Sequence, residues 1–306
     1  MTPLSFVQLV LPSEDRGDLA DWGSRYVAGP AERRLAVGDL SSEGLQALSE
    51  LSGADPSWWC HRLLLMYTHG RLRLEQVEPL SEGRRRRAAA KMSAANLCEV
   101  PLALYQDLEG LARRAGKPLP EYVVSVAVGA IWGSVPRGRQ PDLGAAEWGS
   151  DDVSMKVWLP EEIEQMVGHL AQHFQSTNSD VVRNLLICHL VGRLGYERAV
   201  KSNAWRPVRR GRDFEVPSFS RSSGAQDALF PRSAPARRTA FIAAHGKSTE
   251  AFRFWLPQPM KSLLSELALA QDLRLSEYVR RVVAEALIGA ARSSAGSLAN
   301  HIRRLS

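Results

Sequence analysis

The sequence predicts a mainly α-helical chain with short β-strands, organised as tandem strand–helix–helix units whose strands pair between units as antiparallel two-stranded ribbons. Three observations predict it. Short stretches ending in proline occur at Asn96–Pro101, Met155–Pro160 and Phe252–Pro257, as expected where a strand stops and a helix begins at its first turn. Two amphipathic helical periods follow each proline, separated by a break of turn and capping residues. A glycine then falls 32 positions beyond each proline, from Pro101 to Gly133, Pro160 to Gly192 and Pro257 to Gly289, so the three segments superimpose without a gap.

In chain order, residues 4–72 are predicted to form a degenerate, expanded unit. Its strand is Val7–Leu11, ended by Pro12, and Leu19 and Trp22 fit a first helix. An insertion at about 28–53 carries its own helix around Leu45 and Leu48. Asp55-Pro56 then opens a helix running to Gly70, with a capping Asp and proline at the first position. A rival reading takes Arg33 to Leu40 as the strand of this unit. Residues 73–94 are a basic linker, and 95–133 the second unit, with Leu104, Leu108 and Leu111 on its first helix. After a linker at 134–151, the third unit spans 152–196. Ile163, Met166, Val167 and Leu170 mark its first helix, and Val181, Val182, Leu185, Leu186 and Leu190 its second. A flexible basic linker covers 197–249, the fourth unit 250–291 and a tail 292–306. In the fourth, Met260, Leu263, Leu264 and Leu267 are followed by Tyr278, Val279, Val282, Val283 and Leu287.

Composition agrees with small repeated modules rather than one large core. The chain has 306 residues, 44% hydrophobic and 24% charged, which is ordinary globular composition. Apolar runs such as Val123–Trp132 fall short of the roughly 20 residues of a membrane span, and Met1–Val10 has no basic stretch before its apolar one. No membrane role and a cytoplasmic location are expected. Cys60, Cys98 and Cys188 are odd in number and widely spaced, against a disulfide framework or a metal cage of the CxxC kind.

The formal charge of +6 favours an anionic partner, nucleic acid first. From Glu197 to Lys247 there are eleven basic and four acidic residues, a net of +7 that exceeds the excess of the whole chain. Arg209, Arg210 and Arg212 lie in this segment. A second basic patch is Arg84, Arg85, Arg86 and Arg87. Both are solvated connectors or track phosphates along DNA without sequence choice.

A strand of six residues cannot stand alone, and a unit of some 40 residues buries too little core by itself, so such units must pair. At this point the residues resemble the ribbon-helix-helix family, also called the Arc, MetJ and CopG class of DNA-binding proteins. The resemblance covers Ala95–Gly133, Ser154–Gly192 and Ala251–Gly289, and more weakly the first 70 residues. It implies that two strands enter the major groove, where each base pair shows a distinct donor and acceptor pattern. The outward, base-reading set it implies is Ser154, Lys156, Trp158, Ala251, Arg253 and Trp255. Lys156 and Arg253 suit guanine O6 and N7, while the tryptophans contact thymine methyls or pack against a protein surface. It also implies phosphate anchoring at the start of the second helix, at Thr177, Asn178 and Ser179 and at Arg274 and Ser276. Plain helix capping explains the same residues, and the two roles are compatible.

The second unit would present Leu97 and Glu99, and the first Gln8 and Val10. Units three and four are therefore expected to form the main reading ribbon, and units one and two a degenerate pair, with pairing open within or between chains. No enzymatic role and no cofactor are expected. There is no phosphate-cradling glycine loop, zinc-hydrolase motif or nucleophile elbow. His169 and His173 share a helix face but lack a third ligand of suitable spacing, and Cys60-His61 and Cys188-His189 read as core positions. The function expected is sequence-selective binding of double-stranded DNA in transcriptional repression. The alternatives are a relaxosome accessory or plasmid-partition factor on a mobile element, and an antitoxin-like or scaffold interaction module using unit one and its insertion. Self-association is compatible with each.

Overall fold

A computed structural model describes residues 15–77, 96–149, 153–207 and 251–305. Most of these are helical, and four short strands form two separate antiparallel pairs. The order is α1 (Asp15–Tyr26), β1 (Arg33–Ala36), α2 (Asp39–Ser52), α3 (Pro56–His69), α4 (Arg71–Val77), β2 (Leu97–Val100), α5 (Leu102–Arg114), α6 (Leu119–Trp132), β3 (Val153–Trp158), α7 (Glu161–His173), α8 (Asn178–Lys201), β4 (Ala251–Leu256), α9 (Gln258–Ala270) and α10 (Leu275–Leu305). Two 3-10 turns, at Arg137–Arg139 and Ala146–Trp148, precede β3.

Local sequence accounts for the helix boundaries. Asp55 caps α3 by accepting from the Ser57 backbone N–H at 2.8 Å, with Pro56 at the first position. α2 ends at Gly53, whose φ of 72° is left-handed. α8 opens on a capping box: Thr177 Oγ1 accepts from the Asp180 N–H at 3.0 Å, and Asp180 Oδ2 accepts from the Thr177 N–H. Pro101, Pro160 and Pro257 each occupy an N-cap position, directly after a strand for Pro101 and Pro257 and one residue beyond it for Pro160.

β1 pairs with β2 and β3 with β4, all within one chain. Each ribbon has its own core. Beneath β3 and β4 lie Met155, Val157, Phe252, Phe254 and Leu256, packed on Ile163, Val182, Leu186, Leu264 and Val283. Beneath β1 and β2 lie Leu35, Cys98 and Val100 with Leu45, Leu48, Leu64, Leu104 and Val123. Alternation along the strand sends one set of side chains inward and the other to solvent.

The first segment corrects the predicted assignment. The strand that partners β2 is Arg33–Ala36, not Val7–Leu11, and Val7–Leu11 lies outside the described residues. Residues 28–53 are not an insertion, because they contain β1 and α2, with Leu45 and Leu48 in the core. Gly38, the N-cap of α2, stands where the other segments have proline, and Gly70 follows it by the same 32 positions. Leu19 and Trp22 belong to an added helix, α1, that closes the side of this core.

The connecting segments also reach into the cores. Leu74 and Val77 are buried on α4, Val135, Leu143 and Trp148 lie between α6 and β3, and Ala199 and Trp205 extend the third segment past residue 196. Leu119–Arg139 is apolar enough by length and composition to cross a membrane. Its helix stops at Trp132, and Val123, Val126, Ala127 and Ile131 on it are buried in the protein.

The two halves meet where α3 and α6 end, at Gly70 and Gly133, and where α8 and α10 are broken by non-helical backbone at Gly192 and Gly289. A Cβ at Gly133 would lie 2.3 Å from the Gly192 nitrogen, and one at Gly70 would lie 2.0 Å from the Leu287 oxygen. All four glycines, including Gly192 and Gly289, have φ between 70° and 86°, which L side chains rarely adopt. Backbone passes directly against backbone, and Ser134 and Val135 donate N–H bonds to His189 and Leu190 carbonyls at 2.8 and 3.0 Å.

Candidate nucleic-acid interface

The β3–β4 ribbon brings six of the sequence-predicted residues onto one face. Ser154 lies opposite Trp255, Lys156 opposite Arg253, and Trp158 opposite Ala251. Met155, Val157, Phe252 and Phe254 point the other way and are buried. Ser154, Lys156 and Arg253 are exposed, and Trp158 and Trp255 retain 44% and 47% of their exposure. Ala251 is half-buried. The face therefore consists of two central cations bracketed by a tryptophan toward each end.

This pairing is electrostatically unfavourable in isolation. Like charges directly opposite on a ribbon are destabilising, and Lys156 meets Arg253 with no carboxylate from the ribbon between them. Lys156 Nζ sits 5.1 Å from the centre of the Trp158 ring, a contact with the negative face of the aromatic system. An anion bound at the centre of this face would relieve the repulsion.

The corresponding pair on the other ribbon is neutralised. Arg34 lies opposite Glu99, and Arg34 Nε contacts Glu99 Oε1 at 3.1 Å. Ala36 opposite Leu97 completes the outward face, with Leu97 and Glu99 half-buried. The predicted Leu97 and Glu99 are thus on the outward side, while Gln8 and Val10 lie outside the described residues. Arg34 and Ala36 hold the positions assigned to them. The spacing from Gly38 to Gly70 is the sequence signal that identifies this strand.

The second-helix starts differ from each other. Thr177 is exposed but committed to capping, with Oγ1 also donating to Asp180 Oδ2 at 2.9 Å. Asp180 is buried and its other oxygen is held by Arg183 at 2.7 Å. A carboxylate therefore already occupies the positive end of α8. Asn178 and Ser179 are half-buried there. At α10, Arg274 is exposed, Ser276 is half-buried, and the Arg274 carbonyl accepts from the Glu277 and Tyr278 N–H groups at 3.0 and 2.9 Å. Arg84, Arg85, Arg86, Arg87, Arg209, Arg210 and Arg212 lie outside the described residues.

The cysteines and histidines have structural surroundings. Cys60 and Cys98 are buried in the first core, and the neighbouring Cys98 and burial push the Cys60 thiol well above its ordinary value. His61 places Nε2 2.9 Å from the Tyr26 carbonyl, and burial lowers its pKa to about 4. Among the described residues no group of three His, Cys, Asp or Glu side chains is placed to hold a metal ion. Comparison with family models, with curated proteins and with solved structures finds no match for this chain.

Proposed function

We propose that the chain is a sequence-selective double-stranded DNA-binding protein of the ribbon-helix-helix kind, with four fused units, and that β3 and β4 enter the major groove together. The observation that carries this reading is the directly opposed Lys156 and Arg253 on an exposed strand face whose reverse is buried in a hydrophobic core. A two-stranded ribbon has the width of the major groove, and long cationic side chains there reach guanine O6 and N7. Trp158 and Trp255 supply apolar surface for thymine methyls at either end of the ribbon. Arg274 contributes a phosphate contact at the start of α10, while Thr177, Asn178 and Ser179 cap α8 and offer a weaker one.

The β1–β2 ribbon has the same form with a self-satisfied Arg34–Glu99 pair. It serves as the degenerate partner, supporting assembly or weak contact. The biological role is transcriptional repression by occupancy of an operator, in a single chain that does the work of several subunits. The exposed tryptophans favour a second reading, an interaction module that seats a protein on the ribbon. Gel-shift titration against salt separates the two. DNA binding through several phosphate contacts weakens steeply as salt rises, and failure to retain any duplex from a random library at low salt would sink the DNA reading.

A further inference from the structure

The junction of the two halves contains a cleft of about 380 Å³, lined by residues of α3, α6, α8 and α10, the second helix of every segment. Its size is within the range of small-molecule sites, which combine apolar walls with a few polar groups. Leu63, Met66, Val126, Leu185 and Val282 supply the apolar wall. The polar groups are mostly tied to one another. Tyr67 Oη and Tyr122 Oη are 2.8 Å apart, and His189 Nε2 is 2.7 Å from Tyr278 Oη. Glu285 is held by Arg281 at 2.8 Å, which offsets its charge. Arg193 pairs with Glu197 and lies over the Trp59 and Tyr196 rings, but its Nε is buried with no acceptor. Arg71 lines the same cleft.

Gly129 lines the cleft from an exposed position. It lies inside α6, where glycine is less favourable than alanine, and an added Cβ there would meet nothing within 4 Å. Close packing does not require a glycine at this position, unlike at Gly133.

We propose that this cleft is an effector site for a small aromatic carboxylate, its ring against the apolar wall and its acid accepting from Arg193 with Arg71 nearby. Because the cleft is shared by helices from both halves, its occupant sets how the two ribbon-bearing halves sit against each other. The regulatory consequence rests on the DNA reading above; the binding itself does not.

The test is calorimetric titration of the full chain with benzoate, 2-naphthoate and biphenyl-4-carboxylate. Saturable binding of at least one of them at one site per chain is expected. Replacing the acid by the neutral 2-naphthamide should weaken binding at least tenfold relative to 2-naphthoate, and Gly129→Met, with a circular dichroism melt no lower than the parent, should abolish it. Should that variant unfold, Ala286→Leu fills the same space. Absence of saturable binding by all three acids, or undiminished binding to a folded, filled variant, overturns the site. Equal affinity for the amide overturns the carboxylate assignment. In a parallel arm, saturating ligand at fixed ionic strength should change duplex retention by the parent and leave Gly129→Met unaffected. Unchanged retention by the parent overturns the regulatory role. If no duplex is retained under any condition, the DNA reading fails while the calorimetric result still decides the site.

Discussion

Replacing Lys156 and Arg253 with alanine isolates the proposed base contacts from the fold. Both side chains project from the solvent face of the ribbon, directly opposite one another. A good bidentate contact to guanine contributes about 1–3 kcal/mol of discrimination. Losing both should therefore cost roughly 2–6 kcal/mol, or roughly 30-fold to 10⁴-fold in affinity for a preferred duplex, limited below by non-specific binding. Stability should barely move. Relief of the opposed like charges returns about 0.2–1 kcal/mol, and loss of the Lys156–Trp158 contact costs about 0.5–1 kcal/mol, so the sum lies within about 1 kcal/mol of zero. Fluorescence anisotropy with a library-selected duplex and a scrambled control measures the first quantity, and urea unfolding the second. A double variant that still prefers the selected duplex as strongly as the parent would refute the assignment. Loss of the cooperative unfolding transition would refute the claim that these side chains face solvent without supporting the core.

Gly192→Ala and Gly289→Ala should each destabilise the chain by more than about 2 kcal/mol in urea, because the new Cβ falls 2.2–2.3 Å from a backbone oxygen at a left-handed φ. Glu99→Gln should strengthen salt-sensitive, sequence-independent DNA retention by freeing Arg34, at a stability cost of about 1 kcal/mol for a pair with an exposed arginine and a half-buried glutamate; retention measured on scrambled duplex checks this. Arg274→Ala should weaken binding to selected and scrambled duplexes alike and lower the salt slope by about 0.9, whereas a change in sequence preference would contradict a phosphate role. His61 and His189 are both held near pKa 4 by burial, below the ordinary value of about 6.5. The unfolded chain therefore binds more protons between these values. Their contribution is fully present above about pH 6.5 and is lost as pH falls toward 4, by roughly 3 kcal/mol each. Thermal melts at pH 7 and pH 4.5 should show this fall, and His61→Gln should reduce it.

The third and fourth segments were legible because their strands alternate over six residues and stop at proline, leaving Lys156 and Arg253 on the polar face by parity alone. The first segment was not. Its strand has four residues, begins Arg33-Arg34 and is followed by Gly38 in place of proline, so Val7–Leu11 presented a stronger strand pattern. Strand pairing within the chain is a tertiary outcome with no local sequence mark, since the same edge accepts a partner from either source. The neutral Arg34–Glu99 pair became visible only with that register. The cleft had no signal at all, because its walls come from helices distributed between residues 63 and 286, each an ordinary amphipathic helix taken alone.

The glycine crossings give the molecule a circular order. The first segment shares a ribbon with the second, the second abuts the third at Gly133 and Gly192, the third shares a ribbon with the fourth, and the fourth returns to the first at Gly289 and Gly70. A closed circuit has no terminal member whose flank is left bare, unlike a linear stack that needs capping modules. Its four positions are also free to diverge, which a ring of identical subunits is not. On the proposed DNA reading, opposed strands that differ, Lys156 beside Arg253 and Arg34 beside Glu99, would fit a target whose two arms are not mirror copies.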